Sequence, residues 1–144
     1  MSTTDLTAFL DARQNQLALE VGGGDAIDAK ALGLLGSNIA ILIFTAQSSL
    51  HNSVWLISLI VLLLTSSFFD VLTTWPREYS GASVSALDHP EYLTYDTQAL
   101  VSQLIADTEA AIAKNKKLNK KRLSFIATSL TVTVLASLLL LILL

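Results

Sequence analysis

Residues 31–69 contain no Asp, Glu, Lys or Arg, and His51 is the one titratable side chain in these 39 residues. A helix needs about 20 apolar residues to cross a bilayer, so the run is too long for one span and suits two. The polar break Gln47-Ser48-Ser49-Leu50-His51-Asn52-Ser53 lies at its middle, where a tight helical hairpin would turn. The pattern predicts spans over roughly residues 29–46 and 54–72. A second uncharged run, residues 123–144, ends in Leu-Leu-Leu-Leu-Ile-Leu-Leu and predicts a third.

Ahead of the first span, Ser2-Thr3-Thr4-Asp5 offers capping side chains to a helix whose Leu6, Phe9, Leu10, Leu17 and Val21 share one face. Arg13 falls in the middle of that face. Either its stem packs while its head pairs with Glu20 or a neighbouring helix, or it aims inward at an anionic ligand. Gly22-Gly23-Gly24 is expected to end this helix and form a hinge, because glycines have no side chains to pack and lose much entropy on ordering. Asp25 can then cap the next helix, with Asp28 in its first turn and Lys30 snorkelling to the interface. Within the first span, Ala29, Gly33 and Ser37 repeat every four residues, and Gly36 with Ala40 repeats that spacing. Small residues so spaced let helices approach closely in lipid. Asn38 beside them calls for an interhelical hydrogen bond.

Trp55 and Trp75 bracket the second span at the headgroup level, Asp70 lies near its end, and Pro76 stops the helix. The linker Ser80-Gly81-Ala82-Ser83-Val84-Ser85 reads as irregular. Asp88-His89-Pro90-Glu91 reads as a helix start. From there Thr97, Val101, Leu104, Ile105, Thr108, Ala111, Ile112, Asn115 and Asn119 share one face, and charged residues occupy the other. No breaker separates this helix from the third span, so one helix of about 55 residues, about 80 Å long, is expected. The fold class is therefore an all-α integral membrane protein with three transmembrane helices, an N-terminal cytosolic amphipathic helix, and a long cytosolic helix running into the third span. Its segments are 1–24 (amphipathic helix and hinge), 25–75 (transmembrane hairpin), 76–122 (linker and long helix) and 123–144 (last span).

Charge orients this scheme. Arg13 and Lys30 precede the first span, and the other seven of nine bases lie between spans two and three. The positive-inside rule then places the N-terminus and long loop in the cytoplasm and the C-terminus outside. The polar, acidic start is unlike a cleavable signal peptide, so the first span is expected to insert as it stands. Outside the spans too little chain remains for an independent soluble core. With no cysteine, thiolate chemistry and disulfides are excluded.

No catalytic constellation emerges: no phosphate loop, no acid–base carboxylate pair, and two histidines on opposite sides of the membrane, so neither an enzyme nor a metal site is expected. The basic run Lys114, Lys116, Lys117, Lys120, Lys121 and Arg122 reads as an anchor for anionic lipid headgroups, with a soluble anion as the alternative. Nucleic acid is disfavoured, since no aromatics interleave with the bases. Asn115 and Asn119, continued by Ser129, Thr133 and Ser137 at four-residue spacing, form a polar stripe. It fits the seam of a homo-oligomer, and packing within one chain explains it as well.

Three stretches carry a family resemblance: Asp28-Ala29-Lys30-Ala31 leading into the Gly- and Leu-rich span with Asn38; the exit Trp75-Pro76-Arg77; and Glu91-Tyr92-Leu93 opening a helix that reads Leu104-Ile105-Ala106-Asp107 and Ala111-Ile112-Ala113-Lys114-Asn115. Together they resemble the transmembrane effectors of bacterial Pycsar anti-phage systems and, more distantly, SLATT-type two-span defence effectors. The resemblance spans the chain from Ala12 onward, with Gly22-Gly23-Gly24 a departure from it. It implies an effector, silent until a partner cyclase makes cyclic CMP or cyclic UMP, that then oligomerises or rearranges and impairs the inner membrane. A phosphate-bearing ligand needs a cation or a helix N-terminus, and Arg13, Lys30 and Arg77 are the candidates outside the lipid-facing run. An accessory membrane subunit and a holin-like pore former without a nucleotide trigger are the competing readings.

Overall fold

The computed structural model describes residues 3–47, 53–81 and 96–143. They form three helices, α1 (Thr3–Gln47), α2 (Ser53–Thr74) and α3 (Thr97–Leu143), and no strand is present among the described residues. Each helix contains a window long and apolar enough to cross a membrane. The architecture is that of an all-α, multi-pass membrane protein. The expected hairpin turn with His51, and the expected helix start at residues 88–91, lie outside the described residues.

The triple glycine does not end the first helix. α1 continues through Gly22-Gly23-Gly24, none of which has a positive φ. Glycine costs a helix about 1 kcal/mol per residue relative to alanine, which packing can offset. At Gly24 the missing side chain is itself used. A Cβ on Gly24 would overlap the phenol of Tyr79, and one on Gly23 would stand 3.8 Å from the Asn119 amide. Asp25 consequently caps nothing and lies inside α1. The unbroken course of α3 from Thr97 past Arg122 into the final apolar run agrees with its lack of breakers, and its first bond is Leu100 N–H to the Asp96 carbonyl. Pro76 follows the end of α2 directly, where its missing N–H and ring preclude another turn.

The chain divides into two compact units. The first comprises Met1–Gly24 and Arg77–Asn119. In it Leu6, Thr108, Ala111, Ile112, Asn115 and Asn119 are buried. Irregular residues 77–81 are tied down by side chains: Asn115 donates to the Ser80 carbonyl and accepts from the Ser80 N–H, both at 2.9 Å, and the Tyr79 hydroxyl donates to Asn119 at 3.0 Å. Asn119 in turn donates to the Glu20 carbonyl at 2.7 Å.

The second unit comprises Asp25–Pro76 and Lys120–Leu144, a three-helix bundle built in layers. Ile27, Ala31 and Ile126, with Leu34, form one apolar layer. Leu59, Leu63 and Ala136, flanked by Ile41, Leu42, Leu139 and Leu140, form another. Lipid-facing hydroxyls such as Thr65, Thr128 and Thr131 satisfy themselves on the carbonyl four residues back. The small residues expected to pack α1 closely do not do so. Ala29, Gly33, Gly36, Ser37 and Ala40 are exposed, and a Cβ on Gly33 or Gly36 would meet open space. Larger side chains at Ile27, Leu34, Ile41 and Leu42 exclude more apolar area, and they claim the inner face.

Candidate functional site

Between the two apolar layers of the bundle lies a layer of a different kind. Each helix contributes polar side chains at one level: Asn38 from α1, Ser66 and Asp70 from α2, Ser129 and Thr133 from α3. All five are buried. The Asn38 amide donates to Ser66 Oγ at 2.9 Å and to Asp70 Oδ2 at 3.0 Å. Its carbonyl accepts from Thr133 Oγ1 at 2.9 Å. Ser129 donates to Asp70 Oδ1 at 2.6 Å. Ser66 Oγ lies 2.8 Å from Ser129 Oγ and 2.7 Å from Thr133 Oγ1. A buried polar group left without a partner costs about 1–3 kcal/mol, more if charged, and this arrangement leaves none of the five alone. Both oxygens of Asp70 are met by neutral donors.

The local sequence produces the layer simply. Ser66 and Asp70 are four residues apart, as are Ser129 and Thr133, so each pair projects from successive turns of one helix face. Asn38 carries both a donor and an acceptor and can bridge the two pairs. Its interhelical bonding was legible in advance. Ser66 and Asp70 were not singled out, although a polar pair at that spacing within an apolar helix was the available signal.

A second polar contact lies in the same unit. Arg122 is buried, its Nε donates to the Thr73 carbonyl at 3.0 Å, and its terminal nitrogen pairs with Asp28. This corrects the reading of Arg122 as a lipid anchor: it faces the bundle, where the last turn of α2 offers carbonyls that favour a cation. The rest of the basic run, Lys114, Lys116, Lys117, Lys120 and Lys121, is exposed. Lys121 extends over the Phe125 ring at 5.8 Å.

Of the polar stripe, Asn115 and Asn119 bond within the first unit, and Ser129 and Thr133 within the second, which is the packing within one chain that the stripe also fitted. Ser137 is exposed and donates to the Thr133 carbonyl of its own helix at 2.9 Å.

Of the three candidate ligand cations, Arg13 and Arg77 belong to the first unit and Lys30 to the second. Arg13 pairs with Glu109 of α3 at 2.9 Å, donates to Gln16, and lies 4.8 Å over the Phe9 ring. Its Nε is buried without a partner. Arg77 is half-buried in the same unit, whereas Lys30 is exposed and belongs to the other. Among the described residues no group of three or more His, Asp or Glu could hold a metal ion. No family model matches this chain, and neither a curated protein nor a solved structure is detectably similar to it.

Proposed function

We propose that this protein is a membrane effector of bacterial abortive-infection defence, held in a closed three-helix state until a cyclic pyrimidine mononucleotide, cyclic CMP or cyclic UMP, releases it to impair the inner membrane. The observation that carries this reading is the polar layer of Asn38, Ser66, Asp70, Ser129 and Thr133 inside helices otherwise packed with aliphatic side chains. Polar and ionisable groups within spans are expensive, and where they occur they mark function more often than scaffolding. Five groups satisfied by one another can exchange those partners for water, or for the same groups of another copy, when the spans separate. A bundle with an aliphatic core has no such second state. The short motifs shared with Pycsar transmembrane effectors supply the trigger and the setting.

In this reading the N-terminus and the lysine face of α3 are cytoplasmic, with the lysines on anionic headgroups. The nucleotide phosphate takes Arg13, displacing Glu109, with Arg77 and Lys30 as secondary candidates. The test is expression in cells with and without added cyclic CMP or cyclic UMP, following membrane potential and growth. Depolarisation that depends on the nucleotide, and that is lost in Arg13→Ala at equal membrane insertion, supports the proposal. Unchanged potential with both nucleotides overturns the trigger. Depolarisation without any nucleotide favours the holin-like alternative.

A further inference from the structure

The contacts of the polar layer close into a ring. From Asp70 Oδ1 it passes to Ser129 Oγ at 2.6 Å, to Ser66 Oγ at 2.8 Å, to Thr133 Oγ1 at 2.7 Å and to Asn38 Oδ1 at 2.9 Å. The Asn38 amide returns to Asp70 Oδ2 at 3.0 Å. Three of the five members are hydroxyls, whose protons rotate freely between donating one way and the other. The ring therefore admits two complete hydrogen-bond patterns on the same heavy atoms.

With Asp70 ionised, Ser129 donates to Oδ1, the Asn38 amide to Oδ2, Thr133 to the Asn38 carbonyl, and Ser66 to the Ser129 backbone carbonyl at 3.0 Å. With a proton on Oδ1, Asp70 donates to Ser129, Ser129 to Ser66, Ser66 to Thr133 and Thr133 to Asn38. Every hydroxyl then donates once and accepts once in a single direction, the arrangement in which hydrogen bonds reinforce one another. No heavy atom moves and no donor is orphaned in either state.

Charge decides between them. An ionised carboxylate in a low-dielectric interior costs several kcal/mol unless a cation answers it. Asp70 bonds only the neutral Ser129 and Asn38. On the helices packed against α2 in this unit, the charged groups that are not exposed are Asp28 of α1 and Arg122 of α3, whereas Asp25 of α1 is exposed. Arg122 reaches the Thr73 carbonyl, one turn from Asp70, but its charge is matched by Asp28. Lys30 of α1 and Lys120 and Lys121 of α3 are exposed. A bound alkali or alkaline-earth ion would have to enter among oxygens already in hydrogen-bond contact with one another.

We infer that the polar layer is a proton-binding site: Asp70 takes a proton from water to become the neutral acid, and the Ser129 and Ser66 hydroxyls turn to hold it while Thr133 keeps its bond to Asn38. The closed bundle keeps that proton, and separating the helices admits water and releases it. The inference stands on the ring's geometry and holds whatever signal opens the bundle.

Infrared difference spectroscopy of the full chain in lipid nanodiscs tests it. At neutral pH the wild type should show the C=O stretch of a protonated carboxyl, shifted in heavy water. Asp70→Asn should lose that band, and Ser129→Ala should move its frequency, because the acid's acceptor is gone. Added sodium at fixed pH should leave it unchanged. A wild-type spectrum identical to that of Asp70→Asn, a Ser129→Ala band at the wild-type position, or abolition of the band by sodium overturns the proposal.

Discussion

Arg122 of α3 donates through Nε to the backbone oxygen of Thr73 at 3.0 Å, in the last turn of α2. One guanidinium thereby caps the C-terminal carbonyls of one helix and meets Asp28 of another. The two charges of this pair are unequally sheltered, since Arg122 keeps 3% of its side-chain surface and Asp28 keeps 38%.

That asymmetry predicts which half matters more. Asp28→Ala removes a carboxylate partner from a buried cation and should destabilise the bundle by about 3 kcal/mol, the lower end for breaking a buried pair. Arg122→Met leaves a carboxylate that water can reach and should cost less. Denaturant unfolding in micelles measures both, and the reverse order would mean that the Thr73 contact outweighs the ion pair.

The glycines of α1 separate into those that pack and those that do not. Gly22 faces open space, so Gly22→Ala should stabilise the helix by about 1 kcal/mol. Gly24→Ala drives a methyl into Tyr79 and should destabilise by about 1–3 kcal/mol, as overpacking does. Adding Tyr79→Ala to Gly24→Ala should recover part of the loss in thermal unfolding. Equal effects at the two glycines would return the triple glycine to the role of a hinge.

Much of this was readable from residue patterns, and each misreading has a physical cause. The spans and the continuous α3 follow from apolar length and the absence of breakers. The inward face of α3 is harder. Apart from Ala111, its buried positions run Thr108, Ile112, Asn115, Asn119, Arg122, Ile126, Ser129, Thr133, Ala136, in alternating steps of four and three. Steps of four alone drift around the helix, which is why Ser137 was assigned to the stripe and Ala136 was not. Arg122 was grouped with its lysine neighbours by proximity, although three residues after Asn119 places it on the buried side. The polar layer escaped for another reason: it is assembled from three helices, each contributing only one or two polar residues to an apolar background.

Asn115 gives a third expectation. Asn115→Leu leaves both the N–H and the carbonyl of Ser80 without their side-chain partner. Unfolding stability should fall by about 1–3 kcal/mol, and trypsin should cut after Arg77 faster than in wild type, with oligomeric mass unchanged. A change in mass without faster cleavage would restore Asn115 to an intermolecular seam.

Orientation is testable because the chain has no cysteine of its own. A cysteine appended after Leu144 should react with a membrane-impermeant thiol reagent in intact spheroplasts, whereas Gly81→Cys should react only after lysis. The opposite pattern would invert the topology and put the lysines outside.

The polar layer also constrains the order in which the protein can be made. Asn38 precedes Asp70 in the chain, but Ser129, the other partner of that carboxylate, follows it by 59 residues. Translation runs from the N-terminus, so α2 is made while only one of the two side-chain partners of Asp70 exists. Until α3 emerges, the nascent hairpin holds its acid half-served, and α3 is the helix that seals it. A chain stopped before Ser129 would be an incompletely satisfied membrane hairpin, a natural substrate for quality-control proteolysis, so the cell should carry this protein either whole or not at all.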